Sequence, residues 1–269
     1  MYESFFGLEH PPFQISPDPE FLYPSHVHEE ALKHIRFSLN HFKGICLVTG
    51  PVGSGKTTIC RKILRELRPG DVDHALILNP RVGEKDLIRQ ILSDLGEPSD
   101  ISEGAIQRLQ ELLLARYRAG RHVVILVDEA HVMPTDSLEL LRLLTNLETT
   151  EHKIVQIVLF AQPEMEERLK KETRLLPFRQ RILVHCRLAP LRYREMVAYI
   201  DHRLQIAGAA DGVNFSTLAS WAIHCWSSGV PRLINHLCDK AMLSAYVRQD
   251  RLVRLSDARR AREDVGALL

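Results

Sequence analysis

A glycine-rich segment between a predicted strand and a predicted helix constrains this chain more than any other feature. Residues 50–57 read Gly-Pro-Val-Gly-Ser-Gly-Lys-Thr and match the pattern G-x-x-x-x-G-K-[ST] at every fixed position. The apolar run from Ile45 to Thr49 precedes this segment, and the residues from Thr58 to Leu67 place apolar and polar side chains at helical spacing. Strand, glycine turn and helix in this order are the context that a phosphate-binding loop requires.

The chemistry of such a loop depends mainly on its backbone. The glycines allow the chain to wrap closely, so that N–H groups can point at phosphate oxygens, and the N-terminus of the following helix favours negative charge. Lys56 is predicted to reach the β- and γ-phosphates, and the Thr57 hydroxyl is predicted to bind Mg²⁺. We therefore predict a site for ATP and Mg²⁺ whose loop residues are Gly50, Pro51, Val52, Gly53, Ser54, Gly55, Lys56, Thr57 and Thr58.

A second candidate site is an acidic pair that follows an apolar run. Residues 123–127 are all aliphatic, and Asp128 and Glu129 come directly after them. Such a run is typical of a central strand in a parallel sheet, and ligands of these sheets bind at the carboxyl ends of the strands. Asp128 is therefore predicted to hold Mg²⁺, directly or through water, and Glu129 to orient and deprotonate an attacking water. An acidic helix start from Ala130 onward is the simpler interpretation, and the two can coexist.

The remaining pattern favours an α/β fold. Short apolar runs alternate with amphipathic segments up to Pro190, which predicts a P-loop core with a parallel sheet and helices on both faces. The predicted strands cover residues 45–49, 75–78, 121–129, 154–160 and 182–188. Beyond Pro190 we predict helices without strands, at residues 194–207, 216–226, 231–247 and 256–263. The predicted domains are an αβα nucleotide-binding domain at 1–190, beginning with a Pro- and aromatic-rich strap at 1–27, and an all-helical lid at 191–269.

Composition excludes several classes of protein. Lys and Arg number 35 against 34 Asp and Glu, so no global charge attracts the chain to nucleic acid or to an anionic membrane. The five cysteines are scattered without a C-x-x-C pair, which indicates a reducing compartment and argues against a disulfide framework or a zinc site. The N-terminus lacks the features of a signal peptide, and no apolar run approaches the ~20 residues of a membrane span. These features predict a cytoplasmic protein.

Two polar positions beside predicted strands are further candidates for the site. Gln162 follows the predicted strand 154–160, where it could hydrogen-bond the γ-phosphate or the attacking water; a turn before Pro163 is the alternative. Arg181 ends a predicted helix just before the last core strand. From there it could stabilise transition-state charge on the nucleotide of a neighbouring subunit. A solvated basic helix end explains Arg181 equally well.

Arg232 occupies an unusual position for a cation. In Gly229-Val230-Pro231-Arg232 it lies in the first turn of a predicted helix, where the helix dipole disfavours positive charge. This mismatch favours another role, and we predict that Arg232 contacts the nucleotide from the lid.

Other conspicuous side chains are interpreted as structural. His26, His28, His34 and His41 lack metal-ligand spacing and are predicted to be surface or packing residues. The two tryptophans are assigned to the core of the lid. The arginines of the C-terminal segment are interleaved with acids, which is typical of a solvated face.

Two long strings in the sequence resemble one family of ATPases. The first string consists of Tyr2 to Phe13, Pro17 to Tyr23 and His28 to Leu32. The second string lies within Gly229 to Asp239. Together they resemble the AAA+ ATPases of the ExeA/GspA-like group of bacterial secretion and pilus loci. The length and the ending are most similar to the secretion ATPases of exosortase (PEP-CTERM) and exopolysaccharide loci.

This resemblance implies a role for each candidate residue. The implied roles are Walker A for Lys56 and Thr57, Walker B for Asp128 and Glu129, sensor 1 for Gln162, sensor 2 for Arg232 and arginine finger for Arg181. The match at Arg181 is the loosest, because Arg174 and Arg179 lie nearby. Members named ExeA continue into a membrane span and a peptidoglycan-binding part, whereas this chain stops after the lid, so we do not expect direct peptidoglycan binding.

The resulting expectation is an ATP hydrolase that drives conformational change or assembly of a protein partner in a cell-envelope system. We expect self-association with ATP, and a cytoplasmic location that could be peripheral at the inner membrane through a partner. The main alternative is an AAA+ regulator of DNA transposition of the TnsC or MuB type. A small-molecule kinase and a nucleotide-gated adaptor with little turnover are further alternatives.

Overall fold

The computed structural model describes residues 2–14, 16, 18–68, 70–98, 104–147, 153–209 and 212–266. The chain divides into two compact units. The α/β unit comprises Glu29–Gly50 and Ile59–Leu188, and the helical unit comprises Met1–His28, Pro51–Thr58 and Ala189–Leu269.

The helices of the described residues are α1 (Tyr2–Phe6), α2 (His26–Asn40), α3 (Lys56–Glu66), α4 (Glu84–Asp94), α5 (Ala105–Arg118), α6 (Thr135–Leu144), α7 (Glu164–Lys171), α8 (Leu176–Gln180), α9 (Tyr193–Ile206), α10 (Thr217–Ser227), α11 (Pro231–Val247) and α12 (Leu255–Gly266). The boundary between the units passes through α2 after His28 and through α3 after Thr58. No helix in the described ranges combines the length and the apolar character that crossing a bilayer requires.

The α/β unit is built on a parallel sheet of five strands. They are β1 (Ile45–Thr49), β2 (Val72–Ile77), β3 (His122–Val127), β4 (Val155–Ala161) and β5 (Ile182–Arg187), in the order β2-β3-β4-β1-β5. Every residue of β1 and β4 is buried, as expected when helices cover both faces of a sheet. The predicted fold class, a P-loop αβα core followed by a helical part, is confirmed.

The core of the α/β unit joins the central strands to the helices on one face of the sheet. Ile125 and Ile157 pack in one cluster with Leu87, Leu141 and Phe178, and all five side chains are fully buried. Burial of an aliphatic or aromatic side chain of this size stabilises the fold by about 1.5–3 kcal/mol. Packing of these apolar side chains therefore contributes to holding α4 and α6 on the sheet.

The helical unit contains a short sheet that the sequence did not indicate. Asn214–Phe215 (β6) and Leu252–Val253 (β7) pair in parallel between longer helices. Two residues are too few to produce an alternating pattern, so periodicity could not predict them.

The N-terminal segment belongs to the helical unit. Phe6 and Phe13 are buried in one cluster with Met196, Ile234 and Leu237 of the lid helices. The sequence analysis grouped this segment with the nucleotide-binding domain, because composition alone cannot show which core receives its aromatic side chains. The other predicted domain boundary, at Pro190, lies next to the start of the last segment of the helical unit at Ala189.

Arg203 of α9 fastens this segment to the lid. Its buried guanidinium donates hydrogen bonds to the carbonyl of Pro12 at 2.5 Å, the carbonyl of Gln14 at 3.3 Å and the hydroxyl of Tyr199 at 2.9 Å. The same group lies 4.9 Å from the centre of the Phe21 ring. A planar guanidinium suits this arrangement, since it can donate in its plane while its face covers an aromatic ring.

A buried carboxylate ties α12 to α11. Asp257, with a side chain 1% exposed, accepts hydrogen bonds from Arg248 Nη2 at 2.6 Å, the Arg254 amide at 2.8 Å and the Ser244 hydroxyl at 2.9 Å. Burial alone would raise the pKa of Asp257, but these hydrogen bonds outweigh it and leave the pKa below its ordinary value. The ionised carboxylate therefore stabilises the helical unit.

We expect Asp257→Ala to lower the free energy of unfolding by about 2–3 kcal/mol, because it leaves a partly buried cation and a backbone donor without their acceptor. Urea unfolding followed by circular dichroism measures this difference. Because the folded-state pKa is depressed, the stabilisation is present above the unfolded pKa of about 3.9 and is lost as the pH falls further. The difference in unfolding free energy between wild type and variant should therefore become smaller below pH 4. Asp264→Ala, on the exposed face of α12, is the matched control. If Asp257→Ala lowered the unfolding free energy no more than Asp264→Ala does, the stabilising role of Asp257 would be contradicted.

Candidate nucleotide site

The phosphate loop follows β1 directly in the chain and lies in the helical unit. Gly53 and Gly55 have φ angles of +78° and +93°, which glycine adopts without strain. The amide of Arg232 donates to the carbonyl of Gly53 at 3.2 Å. A Cβ atom on Gly53 would lie 2.4 Å from the Cβ atom of Arg232, so this close approach requires glycine. The structure thus brings the backbone of Arg232, at the start of α11, to the loop, and the predicted contact of Arg232 with the nucleotide stays a prediction.

The side chains of the loop are arranged for a ligand rich in oxygen. Lys56, the first residue of α3, is 5% exposed and donates from Nζ to the carbonyl of Pro51 at 2.9 Å. The hydroxyl of Ser54 is buried and has no hydrogen-bond partner within the described part of the chain. Buried polar groups are nearly always satisfied. An orphaned hydroxyl beside a buried ammonium therefore fits a loop that receives phosphate.

His28 contacts the same loop, which the sequence analysis did not anticipate. Its Nε2 lies 2.9 Å from the carbonyl oxygen of Ser54, and its Nδ1 lies 2.6 Å from the hydroxyl of Ser25. The side chain is buried at the start of α2. Interpretation as a surface or packing residue rested on the absence of metal-ligand spacing, and no local pattern in the sequence relates residue 28 to residue 54.

The acidic pair lies at the carboxyl end of β3 in the α/β unit. The amide of Asp128 donates to the carbonyl of Ile77 at 2.9 Å, which extends the pairing of β3 with β2 by one residue. Asp128 is buried, and its Oδ1 accepts the amide of Glu129 at 3.0 Å. Glu129 has a φ angle of +52°, a left-handed conformation that costs a non-glycine residue about 1 kcal/mol or more. The chain therefore turns sharply between the two carboxylates.

Gln162 contacts Glu129 at the carboxyl end of the sheet. Val127 pairs with Leu159, so the chain leaves β4 near the end of β3. The amide Nε2 of Gln162 donates to Oε2 of Glu129 at 3.1 Å, and Nδ1 of His131 lies 3.4 Å from the same oxygen. The Glu129 side chain is 44% exposed, so water reaches it. Gln162 thus holds one oxygen of an accessible carboxylate.

A further polar cluster at this edge of the sheet was missed by the sequence analysis. Glu166 accepts hydrogen bonds from the Thr49 hydroxyl at 2.6 Å and from Arg187 Nε at 3.0 Å, and His185 Nε2 lies 3.3 Å from its Oε1. Burial would raise the pKa of Glu166, but the bonds from Arg187 and Thr49 outweigh it and lower the pKa. These residues come from β1, α7 and β5 and share no motif, so only the fold unites them.

The arginines that are candidates for acting on a neighbouring subunit do not lie at the acidic pair. Arg181 follows α8 and precedes β5, so it lies at the amino end of the parallel strands, away from the edge that carries Glu129. Arg174 and Arg179 are exposed. The structure does not bring these side chains to the acidic pair of their own chain, and the choice among them stays a prediction.

Comparison with known proteins finds a matching domain and a relative of this chain. Residues 40–169 match a family model described as an AAA domain. General secretion pathway protein A of Aeromonas hydrophila is 43% identical over 251 residues, which cover 92% of this chain and 45% of that protein. The chain therefore spans less than half the length of this curated relative.

Solved structures show the same fold. The Aeropyrum pernix ORC2 protein, in its ADPNP–ADP complexes, superposes with a TM-score of 0.71 at 16% identity and covers 95% of this chain and 71% of its own. The Thermotoga maritima RuvB T158V protein superposes with a TM-score of 0.61 at 17% identity and covers 93% and 73%. At such identities the likeness shows the fold alone. The secretion relative and the matching AAA domain support an ExeA/GspA-like AAA+ ATPase.

Proposed function

We propose that this chain binds ATP with Mg²⁺ and hydrolyses it to drive conformational change or assembly of a partner complex in a bacterial cell-envelope system of secretion, exopolysaccharide or pilus type. The observation that carries the hydrolytic part is the contact of Gln162 with the water-accessible carboxylate of Glu129. The similarity to general secretion pathway protein A supports the cellular process. Since the ATP pool is cytoplasmic, we propose that the chain acts there, and reaches the inner membrane through a protein partner.

Binding is assigned to the backbone of residues 50–58, to the Lys56 ammonium and to Arg232. Lys56 has three N–H donors, so its contact with the Pro51 carbonyl leaves it able to donate to phosphate as well. Mg²⁺ prefers hard oxygen ligands, which suit the Thr57 hydroxyl and the buried Asp128 carboxylate. When bound, the ion would neutralise charge on the β- and γ-phosphates.

Hydrolysis is assigned to Glu129 as general base. Its carboxylate takes a proton from the water that attacks the γ-phosphorus, and the bond to the ADP oxygen breaks to give ADP and phosphate. The amide of Gln162 fixes the Glu129 side chain through Oε2. Positioning of the water, more than covalent chemistry, is what this reaction requires of the protein.

Lys56→Ala should abolish detectable binding of Mg·ATP, because no other ammonium of the loop can replace its contact with the phosphates. Titration with a fluorescent ATP analogue measures the affinity. Lys171→Ala, which removes an exposed ammonium paired with Glu167, should bind like wild type. Wild-type affinity in Lys56→Ala would refute the assignment of the loop.

Glu129→Gln should bind ATP normally, since the amide keeps the shape of the side chain. It should hydrolyse ATP at least roughly 10²-fold more slowly, since the amide cannot act as a base. Phosphate release under saturating Mg·ATP measures turnover. Glu167→Gln, an exposed change on α7, is the control. Turnover within about threefold of wild type, a barrier change below ~1 kcal/mol, would move the catalytic role to another residue.

We also propose that ATP promotes self-association and that Arg181 acts on the nucleotide of the neighbouring subunit. Glu129→Gln should sediment as larger species with ATP than without it. Arg181→Ala should keep its ATP affinity and lose about 10³-fold in hydrolysis, as for other arginines that act in trans.

Mixing Arg181→Ala with Lys56→Ala should restore activity, because some mixed interfaces then combine an intact Lys56 with an intact Arg181. Arg174→Ala and Arg179→Ala are the comparison variants. If the two inactive variants co-assemble and no activity returns, Arg181 is not the arginine finger.

A further inference from the structure

His28 is a buried titratable side chain, and its hydrogen bonds define which ring nitrogen carries the proton. The Ser54 carbonyl can only accept, so Nε2 of His28 must carry the proton in their 2.9 Å contact. In the neutral ring Nδ1 is then an acceptor, and it receives the Ser25 hydroxyl at 2.6 Å. Burial lowers the pKa of His28, although the hydrogen bond to Ser54 and the charge of Glu195 oppose this shift. At neutral pH the imidazole is therefore an uncharged donor aimed at the phosphate loop.

The carbonyl that His28 holds determines the direction of the next amide. No cis peptide occurs among the described residues, and in a trans peptide the C=O and N–H groups point in opposite directions. Since the Ser54 carbonyl faces the imidazole, the N–H of Gly55 points away from it. A Cβ atom on Gly55 would come within 3.0 Å of Nε2, so the ring packs directly on the loop backbone. His28 thus fixes both the position and the direction of one peptide group.

A second anchor holds the neighbouring peptide group. The amide of Arg232 donates to the carbonyl of Gly53 at 3.2 Å. Two successive carbonyls of the loop are therefore bonded by donors from outside the loop, one from the start of α2 and one from the start of α11. Glycine loses more conformational freedom on ordering than any other residue, so a loop with glycines at positions 53 and 55 gains most from such anchors. A loop held in its binding conformation before the ligand arrives binds more tightly.

We infer that His28 is a positioning residue for the phosphate loop: its Nε2–H anchors the Ser54 carbonyl, directs the Gly55 amide and so raises the affinity for nucleotide phosphates. This inference rests on the proposed ATP site at residues 50–58. A purely structural alternative is that His28 only fills space at the start of α2, where the Ser25 hydroxyl also accepts its backbone amide at 3.4 Å.

Two amide substitutions with side chains of different length distinguish the positioning role of His28 from a purely space-filling role. In His28→Gln the side-chain nitrogen reaches about as far as Nε2 and can still donate to the Ser54 carbonyl. In His28→Asn the amide reaches only as far as Nδ1, so the Ser54 carbonyl loses its donor. His26→Gln changes an exposed histidine in the first turn of α2 and serves as the control.

The measurement is the dissociation constant of the non-hydrolysable analogue AMP-PNP with Mg²⁺, by isothermal titration calorimetry well below the unfolding temperature of each nucleotide-free variant. We expect His28→Asn to weaken binding about tenfold, as loss of a buried hydrogen bond predicts. His28→Gln should stay within about threefold of wild type, and His26→Gln should match wild type.

Equal affinities of His28→Asn and His28→Gln would overturn the inference, whether both bind like wild type or both bind weakly, because only the donor to Ser54 distinguishes them. A wild-type protein that does not bind AMP-PNP would refute the proposed function itself. The two failures are therefore distinguishable.

Discussion

The pairing of β1 on both of its edges is the constraint on which the candidate site depends. This strand hydrogen-bonds in parallel to β4 and to β5, and its five residues are buried. The pairing continues beyond its end, where the Gly50 amide donates to Ala161 at 3.2 Å and Thr49 accepts the Leu188 amide at 2.7 Å. The chain therefore enters the phosphate loop from a defined point. Pairing on both edges fixes the position of β1 within the sheet.

The loop itself is held by segments that are remote in sequence. His28 belongs to the opening string of the chain and Arg232 to the string near its end, and both bond carbonyls of the loop at residues 50–57. Arg203 in turn fastens residues 12 and 14 to α9. These contacts give a physical reason why two strings so far apart carry the resemblance to one family: each supplies a donor to the phosphate loop. Through His28, the N-terminal part of the chain thus contacts the loop that we propose binds nucleotide.

The sequence predicted those features that local chemistry encodes. Aliphatic runs located the five strands of the sheet, and β1 matches its predicted bounds, because burial on both faces leaves a continuous apolar signature. The helix after the loop begins at Lys56 and not at Thr58, so Lys56 and Thr57 belong to its first turn. The contact of His28 with Ser54 and the cluster around Glu166 were not predictable, because they depend on how distant segments pack. The placement of the N-terminal segment was unpredictable for the same reason, since an aromatic-rich strap suits either core.

The left-handed turn at Glu129 explains how two adjacent carboxylates can differ in function. Asp128 continues the line of β3 and is buried, with one oxygen bonded to the Glu129 amide, so its position is set by the sheet. The turn then carries Glu129 out to a position where its side chain is 44% exposed and where Gln162 bonds one of its oxygens. A buried, fixed carboxylate suits a metal ligand, whereas a base must meet water and release its proton again. We propose that the left-handed backbone at Glu129 serves to separate the two roles of metal ligand and base.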